Sequence, residues 1–354
     1  MRGPILHQIT VGAMAGDAIT DHVFLLRRWL REMGFTSEVF AEHIHPTLDG
    51  DVKPLSAYRP DPREQWVIYH HSIGSSVVDT LLALHVRLIV VYHNVTPPRF
   101  FSAIDPPLAR QMEEGRRQLE LLRSRTGLAL GVSPFNEAEL SAFGFERTAV
   151  LPLALDENWY QLPSNPAILR RYNGTGPLLL FVGRLVPNKK QEDLIKLLYF
   201  YRRIEPAARL ILVGAAWVPQ YEAWLRDLTR DLGLDEVVLF AGHVSHEDML
   251  TYYRIADLYV SMSEHEGFGK PLIESMYLGL PVLAYAAAGV PSTLDSAGVL
   301  FHHKEYEALA ELVGILVEDE RLRRRIITVQ HERARLFLEP AVRQRWKEQL
   351  KSLL

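Results

Sequence analysis

The chain has no cysteine among its 354 residues. That removes disulfides, zinc-thiolate sites and thiol nucleophiles, and makes a reducing cytoplasm its simplest home. It also lacks a long apolar run: Leu81 to Tyr92 is interrupted by His85 and Arg87, and nothing reaches the ~20 apolar residues that span a bilayer. The first residues carry an early Arg2, but their short apolar run is broken by Pro4, His7 and Gln8, unlike the core of a signal peptide. No excess of positive charge is present. Fifteen Lys and Arg face nineteen Asp and Glu in residues 1–160, and twenty-four face twenty-four in the rest, giving the net charge of −4. Neither half is therefore a platform for nucleic acid. Peripheral contact with the inner face of a membrane is compatible with this composition but draws no support from it.

Several signatures are also missing. Neither G-x-x-x-x-G-K-[ST] nor G-x-S-x-G occurs, so P-loop and serine-hydrolase readings have no anchor, and Gly267-x-Gly269 lacks the third glycine of a dinucleotide fingerprint, so a nicotinamide cofactor is not favoured. Asp49-Gly50-Asp51 lies in a polar stretch with no strand before it and reads as a surface turn rather than a metal pair. No carboxylate or second histidine at recognisable ligand spacing accompanies His70, His71 or His93, so no metal site is expected there.

What is present is an alternation. Hydrophobic content of 48% and charged content of 23% are those of a globular protein. Short apolar runs at Ile5–Ile9, Ser37–Ala41, Trp66–His70, Arg87–His93, Leu128–Val132 and Thr148–Leu151 are separated by helical patterns such as Ala18–Met33 and Pro134–Phe143. Between Pro152 and Pro177 the pattern dissolves into Pro, Asn, Asp and Gly around Pro166–Tyr172, which reads as a linker. It then resumes at Leu178–Val182, Arg209–Val213, Val237–Ala241, Leu258–Met262, Pro281–Tyr285 and Val299–Phe301. The expected fold is α/β, with two doubly wound Rossmann-like domains, residues 1–160 and 161–337, facing an interdomain cleft. Two further helices, Arg321–Phe337 and Val342–Leu354, close the chain, the first strongly basic and read as a solvated face.

Three groups of residues stand at places where such sheets bind ligands. Gly183-Arg184 ends the first strand of the second domain, with Lys189 five residues on, a bidentate fork and a point charge suited to a diphosphate. The stretch Ser263–Leu280 carries Glu266, a turn of Gly267, Phe268 and Gly269, then Lys270 and Glu274 on a helix. A helix N-terminus there is a seat for phosphate, although an ordinary strand-to-helix junction with solvated glutamates is the plain alternative. Helical rise separates Glu266 from Glu274 by about 12 Å, too far for a hydrolytic pair of carboxylates at ~5–9 Å, so two separate grips on one extended ligand fit better. In the first domain, His70, His71 and His93 each end a strand, where imidazoles meet a sugar or a developing charge.

E-G-F-G-x-P-L-x-E from Glu266 to Glu274, the following G-x-P-V, Gly183-Arg184 with Lys189, the linker and the terminal helices together resemble the retaining GT-B glycosyltransferases of family 4 (glycosyl transferases group 1). The first-domain segments Gly16-Asp17-Ala18, Tyr69-His70-His71-Ser72 and His93-Asn94-Val95-Thr96-Pro97-Pro98 look like a bacterial branch of it. The resemblance implies a nucleotide-diphosphate sugar of UDP or GDP type as donor, a glycan, lipid-linked or small-molecule acceptor, retained configuration and no metal. It implies Arg184 and Lys189 on the diphosphate, Glu274 on the ribose, and Glu266 with the backbone of Gly267, Phe268 and Gly269 on sugar and phosphate. Gly242-His243-Val244 would lie near the base, the Gly16-Asp17 loop near the phosphate, and His93 beside the donor sugar. His70, His71, Asn94 and Thr96 would serve the acceptor side, and the final helix, 338–354, would cross back onto the first domain. Two departures stand out: a single Gly16 where many members carry two adjacent glycines, and Ser292 where many carry glutamate. A sugar-nucleotide epimerase or hydrolase, or a non-catalytic sugar-nucleotide-binding protein, are the alternatives on the same architecture.

Overall fold

Strands buried on both faces read as continuous apolar runs, and the crossover helices between them show one apolar face, so the alternation folds as parallel sheets. The computed structural model describes residues 3–174 and 176–353. Met1 and Arg2, Thr175 of the expected linker and Leu354 of the expected last helix lie outside these. The chain divides into two units: one combines the residues up to Ala154 with those from Pro340 onward, and the other is Leu155–Glu339. The division thus falls a few residues before 160/161 on the way out and just after 337/338 on the way back.

The first unit contains β1 (His7–Ala13), α1 (Ala18–Glu32), β2 (Val39–Ile44), β3 (Lys53–Pro54), β4 (Trp66–His71), α2 (Val77–Ala83), β5 (Arg87–Tyr92), α3 (Pro106–Leu122), β6 (Thr126–Gly131), α4 (Pro134–Ala142) and β7 (Thr148–Val150). Its sheet has the order β3-β2-β1-β4-β5-β6-β7, parallel throughout. The first strand runs four residues beyond its expected end. Gly12 and Ala13 pair with His43 and Ile44, because a central strand flanked on both sides accepts small residues that look like a loop in sequence. The two-residue β3 and the two-turn α2 were too short to leave a periodic trace.

The second unit contains α5 (Pro166–Tyr172), β8 (Leu178–Val182), α6 (Gln191–Tyr201), β9 (Arg209–Val213), α7 (Pro219–Asp231), β10 (Val238–Gly242), α8 (His246–Ile255), β11 (Leu258–Ser261), α9 (Lys270–Tyr277), β12 (Val282–Tyr285), α10 (Val290–Leu294), β13 (Val299–Phe301), α11 (Tyr306–Glu318) and α12 (Glu320–Ala334). Its parallel sheet has the order β10-β9-β8-β11-β12-β13. The short α5 sits where the linker was expected, capped by Asn165 with Pro166 in its first turn. A last helix, α13 (Glu339–Lys351), buries Val342, Trp346 and Leu350. Arg343 pairs with Glu32 of α1. Among the described residues no helix is long and apolar enough to cross a membrane.

Strand order reverses beside β1 in the first sheet and beside β8 in the second. Such reversals open a crevice outside the carboxyl ends of the flanking strands, where ligands of open α/β sheets bind. They select the ends of β1 and β4, and of β8 and β11.

Candidate active site

In the second unit the chain leaves β8 through Gly183 and Arg184. A Cβ on Gly214, at the end of β9, would stand 2.1 Å from the Gly183 carbonyl oxygen, so only glycine lets these two strand ends approach. The exposed Arg184 guanidinium lies 4.2 Å over the ring of Trp217 from the same β9 loop. Gly214 N–H also donates to Gly242 O at 2.9 Å, which brings Gly242, exposed His243 and Val244 alongside. Lys189 ends a short 3-10 turn and its Cε lies 3.9 Å from where a Cβ on Gly183 would be, over the same strand end.

Lys189 does not stand alone as a phosphate cation: its Nζ is ion-paired with Glu266, a residue 77 positions on. The pairing is built by a clamp. Asn188 Nδ2 donates to His265 O at 3.0 Å and Glu264 N–H donates to Asn188 O at 2.9 Å. Lys304 Nζ lies 2.8 Å from Asp193 and 2.9 Å from Glu264, and Tyr306 OH donates to Asp193 at 2.8 Å. Burial opposes charge on Lys304, but its bonds to Asp193 and Glu264 outweigh this and hold its pKa above the ordinary lysine value. Lys189 and Lys304 are thus paired with the carboxylates of Glu266, Glu264 and Asp193.

Past Glu266 the loop turns tightly. A Cβ on Gly289 would meet Gly267 O at 2.4 Å, Gly289 N–H donates to Glu266 O at 2.8 Å, and Thr293 Oγ1 donates to Phe268 O at 2.6 Å. Phe268 is buried edge-on against Phe337. Gly269, at φ 83°, opens α9 with no side-chain cap, leaving the positive end of that helix to a backbone turn. Lys270 begins the helix, its Nζ 3.9 Å from Glu274.

Glu274 differs from Glu266. It is buried, with Tyr160 OH donating to Oε1 at 3.0 Å and Tyr253 OH donating to Oε2 at 2.8 Å. Burial, with Glu274 beside it, pushes the Tyr253 hydroxyl well above its ordinary pKa and keeps it a donor. The two glutamates thus have separate environments, as their spacing implied, but each is already engaged by protein groups.

In the first unit, Gly16 has φ 75° and Asp17 caps α1, accepting from Ile19 N–H at 3.2 Å and Thr20 N–H at 3.4 Å. Its carboxylate is committed to the helix. His71, expected on the acceptor side, is placed in the interior. Successive residues of β4 point to opposite faces, and His71 is fully buried, its Nε2 2.7 Å from Gly115 O and its Nδ1 3.3 Å from Tyr69 OH. Burial lowers its pKa to about 4. His70, on the other face, is also fully buried and reaches His93 at 3.0 Å and Gln8 at 2.9 Å. His93 is the partly exposed member. Asn94 sits at φ 78°, and its buried amide donates to Asn136 at 2.9 Å and Glu139 at 2.7 Å, which ties the turn after β5 to α4. Thr96 follows, partly buried.

Residues 170–333 match the model of a family described as glycosyl transferases group 1. The matched residues lie wholly within the second unit. The chain is 30% identical over 193 residues to a GDP-mannose-dependent monoacylated alpha-(1-6)-phosphatidylinositol monomannoside mannosyltransferase of Corynebacterium glutamicum, covering 51% of this chain and 49% of that protein. It is 31% identical over 187 residues to the mannosylfructose-phosphate synthase of Agrobacterium fabrum, covering 49% and 41%. The chain spans about half the length of the curated relatives it matches. Among solved structures, Anabaena HepE in complex with UDP and glucose superposes with a TM-score of 0.79 at 20% identity, over 99% of this chain and 100% of that one. This likeness shows the fold, which is GT-B. Arg184, Lys189, Glu266, Gly267–Gly269 and Glu274 all lie within the matched residues, whereas Tyr160 and the histidines of the first unit lie outside them.

Sequence reasoning passed over Trp217, Tyr160, Tyr253, Asn188, Gln8 and His22. Gln8, a polar residue inside an apolar strand, and His22, on the buried face of α1, carried a local signal. The others are defined only by contacts with distant segments.

Proposed function

We propose that the protein is a retaining, metal-independent glycosyltransferase that moves a sugar from a nucleoside-diphosphate sugar to a hydroxyl acceptor. The observation that carries this is the second unit's reversal point, where exposed Arg184, Lys189 paired with Glu266, and the uncapped N-terminus of α9 gather beyond β8 and β11. Fixed cations and helix N–H groups stabilise the charge that grows on a departing diphosphate, the task a metal performs in other transferases. Lys189 turns part of its charge from Glu266 to the phosphate as it binds, and Glu266 is then freed toward the sugar. Glu274 retains acceptor capacity for ribose hydroxyls beyond its two tyrosine bonds, since a carboxylate offers about four lone pairs. The first unit supplies the acceptor pocket, with His93 beside the sugar.

The named preferences of the relatives set the first donors to try: GDP-mannose, then UDP-glucose, which a solved neighbour holds. The acceptor belongs to the glycan, lipid-linked or small-molecule hydroxyl class, met in the cytoplasm or at the inner face of a membrane. The test is to screen nucleotide sugars by thermal shift, then follow product formation with an acceptor panel in the presence and absence of EDTA, reading the anomer by NMR. Inversion, or EDTA-sensitive turnover, overturns the mechanism. Sugar loss or isomerisation without acceptor would instead mark a hydrolase or epimerase, and binding without turnover a carrier.

A further inference from the structure

We infer that Gln8 and His70 are positioning residues that fix the protons of His93, so that His93 meets its ligand through Nδ1 as a bare hydrogen-bond acceptor. A backbone carbonyl sets the direction of the chain. Val23 O only accepts, so the Gln8 atom 3.1 Å from it is the amide nitrogen. The other Gln8 atom is then the oxygen, 2.9 Å from His70 Nε2, and that nitrogen must carry a hydrogen. Gln8 and His70 are both fully buried.

The next link is the contact of His70 Nδ1 with His93 Nε2 at 3.0 Å. The two rings are 25° from coplanar with centroids 5.3 Å apart, an edge-to-edge arrangement in which N–H and lone pair lie along the contact. One of these nitrogens holds the shared proton. Were it His70 Nδ1, His70 would be a doubly protonated cation. Burial first, and then His22, whose ring stands 6.1 Å away, set His70 against that charge. The proton therefore sits on His93 Nε2.

His93 is kept from taking a second proton by burial and by the neighbouring imidazoles of His70, His22 and His71. Among the described residues the ring's one hydrogen-bond partner is His70, through Nε2, and Nδ1 is left as a lone pair. Such an atom accepts from a hydroxyl or an N–H and repels a phosphate oxygen. The ligand it selects is thus a sugar-type hydroxyl, on donor or acceptor. Only that identity rests on the proposed glycosyl transfer; the proton positions do not.

The direct test is NMR on the full chain labelled with 15N-histidine at neutral pH. The expected result is a slowly exchanging proton bonded to His93 Nε2, with coupling across the hydrogen bond to His70 Nδ1. A proton on His93 Nδ1, or a doubly protonated His70, overturns the inference, and this measurement needs no variant. His70→Leu removes the acceptor for that proton, and His70→Asn returns an amide oxygen near its place. The protected signal is expected to vanish in the first and survive in the second. In a transfer assay His70→Leu is expected to lower kcat roughly tenfold or more with little change in donor KM, and His70→Asn to recover part of it. A loss shared equally by kcat and KM, or not recovered by His70→Asn, overturns the positioning role. Should the NMR result hold while no transfer is found, the proposed function fails and the proton chain stands.

Discussion

The carboxyl edges of the two sheets solve the same problem in opposite ways. Both carry polar side chains at a reversal of strand order, the place where open α/β sheets bind ligands. The second sheet uses charge: Lys189 with Glu266, and Lys304 with Asp193 and Glu264. The first uses neutral groups, the Gln8–His70–His93 chain and the Asn94–Asn136 contact, with one ion pair, Arg116 and Glu139 at 3.0 Å, set behind the turn. A charged edge is ready to exchange an internal carboxylate for a phosphate. A neutral edge of imidazoles and amides suits hydroxyls, which give and take hydrogen bonds without altering the charge.

The largest expected effect comes from the charged edge. Lys189→Ala or Arg184→Ala should lower transfer by about 10²–10³ in initial rate while circular dichroism stays that of the wild type. Wild-type turnover in either variant would sink the assignment of a charged donor edge. Next is the tyrosine pair on Glu274. Tyr253→Phe leaves a buried carboxylate oxygen short of a donor and should cost about 1.5–3 kcal/mol in urea unfolding; a change within error would mean that this bond adds nothing.

The neutral edge should show itself through pH. His71 has a folded pKa of about 4, below its ordinary 6.5, so the unfolded chain binds its proton first as pH falls. Stability is then fully present above pH 6.5 and drains away between pH 6.5 and 4, at up to about 1.4 kcal/mol per pH unit from this residue. His70 and His93 are depressed in the same direction. Urea curves on either side of that window should give a shallower pH slope for His71→Gln than for wild type, and an unchanged slope would contradict the buried neutral imidazole. The smallest effect is at Trp217. Its exposed cation–π contact with Arg184 is worth ~0.5–1 kcal/mol, so Trp217→Ala should raise donor KM a few-fold and leave kcat near wild type. A fall in kcat alone would place Trp217 in the chemistry instead.

What sequence made legible follows the range of each interaction. The alternation of strands and helices, the glycine turn before α9 and the unequal places of Glu266 and Glu274 are local, set by neighbours within a turn or two. The pairing of Lys189 with Glu266 and the tyrosines on Glu274 join segments far apart in the chain, and nothing in either segment announces its partner. His71 shows the limit most clearly. It reads the same as His70 in sequence, and one step along β4 sends it into the opposite layer, where Gly115 O holds it. Asn94 carried a weak hint, since asparagine tolerates the left-handed backbone, but its anchors on α4 had to be seen.

The path of the chain through its two units has a consequence for how the molecule is made. Leu155–Glu339 is continuous, whereas the other unit takes in α13 from the far end of the sequence, with fully buried Trp346 among its core residues. During synthesis the second unit has all of its strands available while the first still lacks that helix. The first unit is therefore completed only after the second, and until α13 has left the ribosome the surface it covers stays wet.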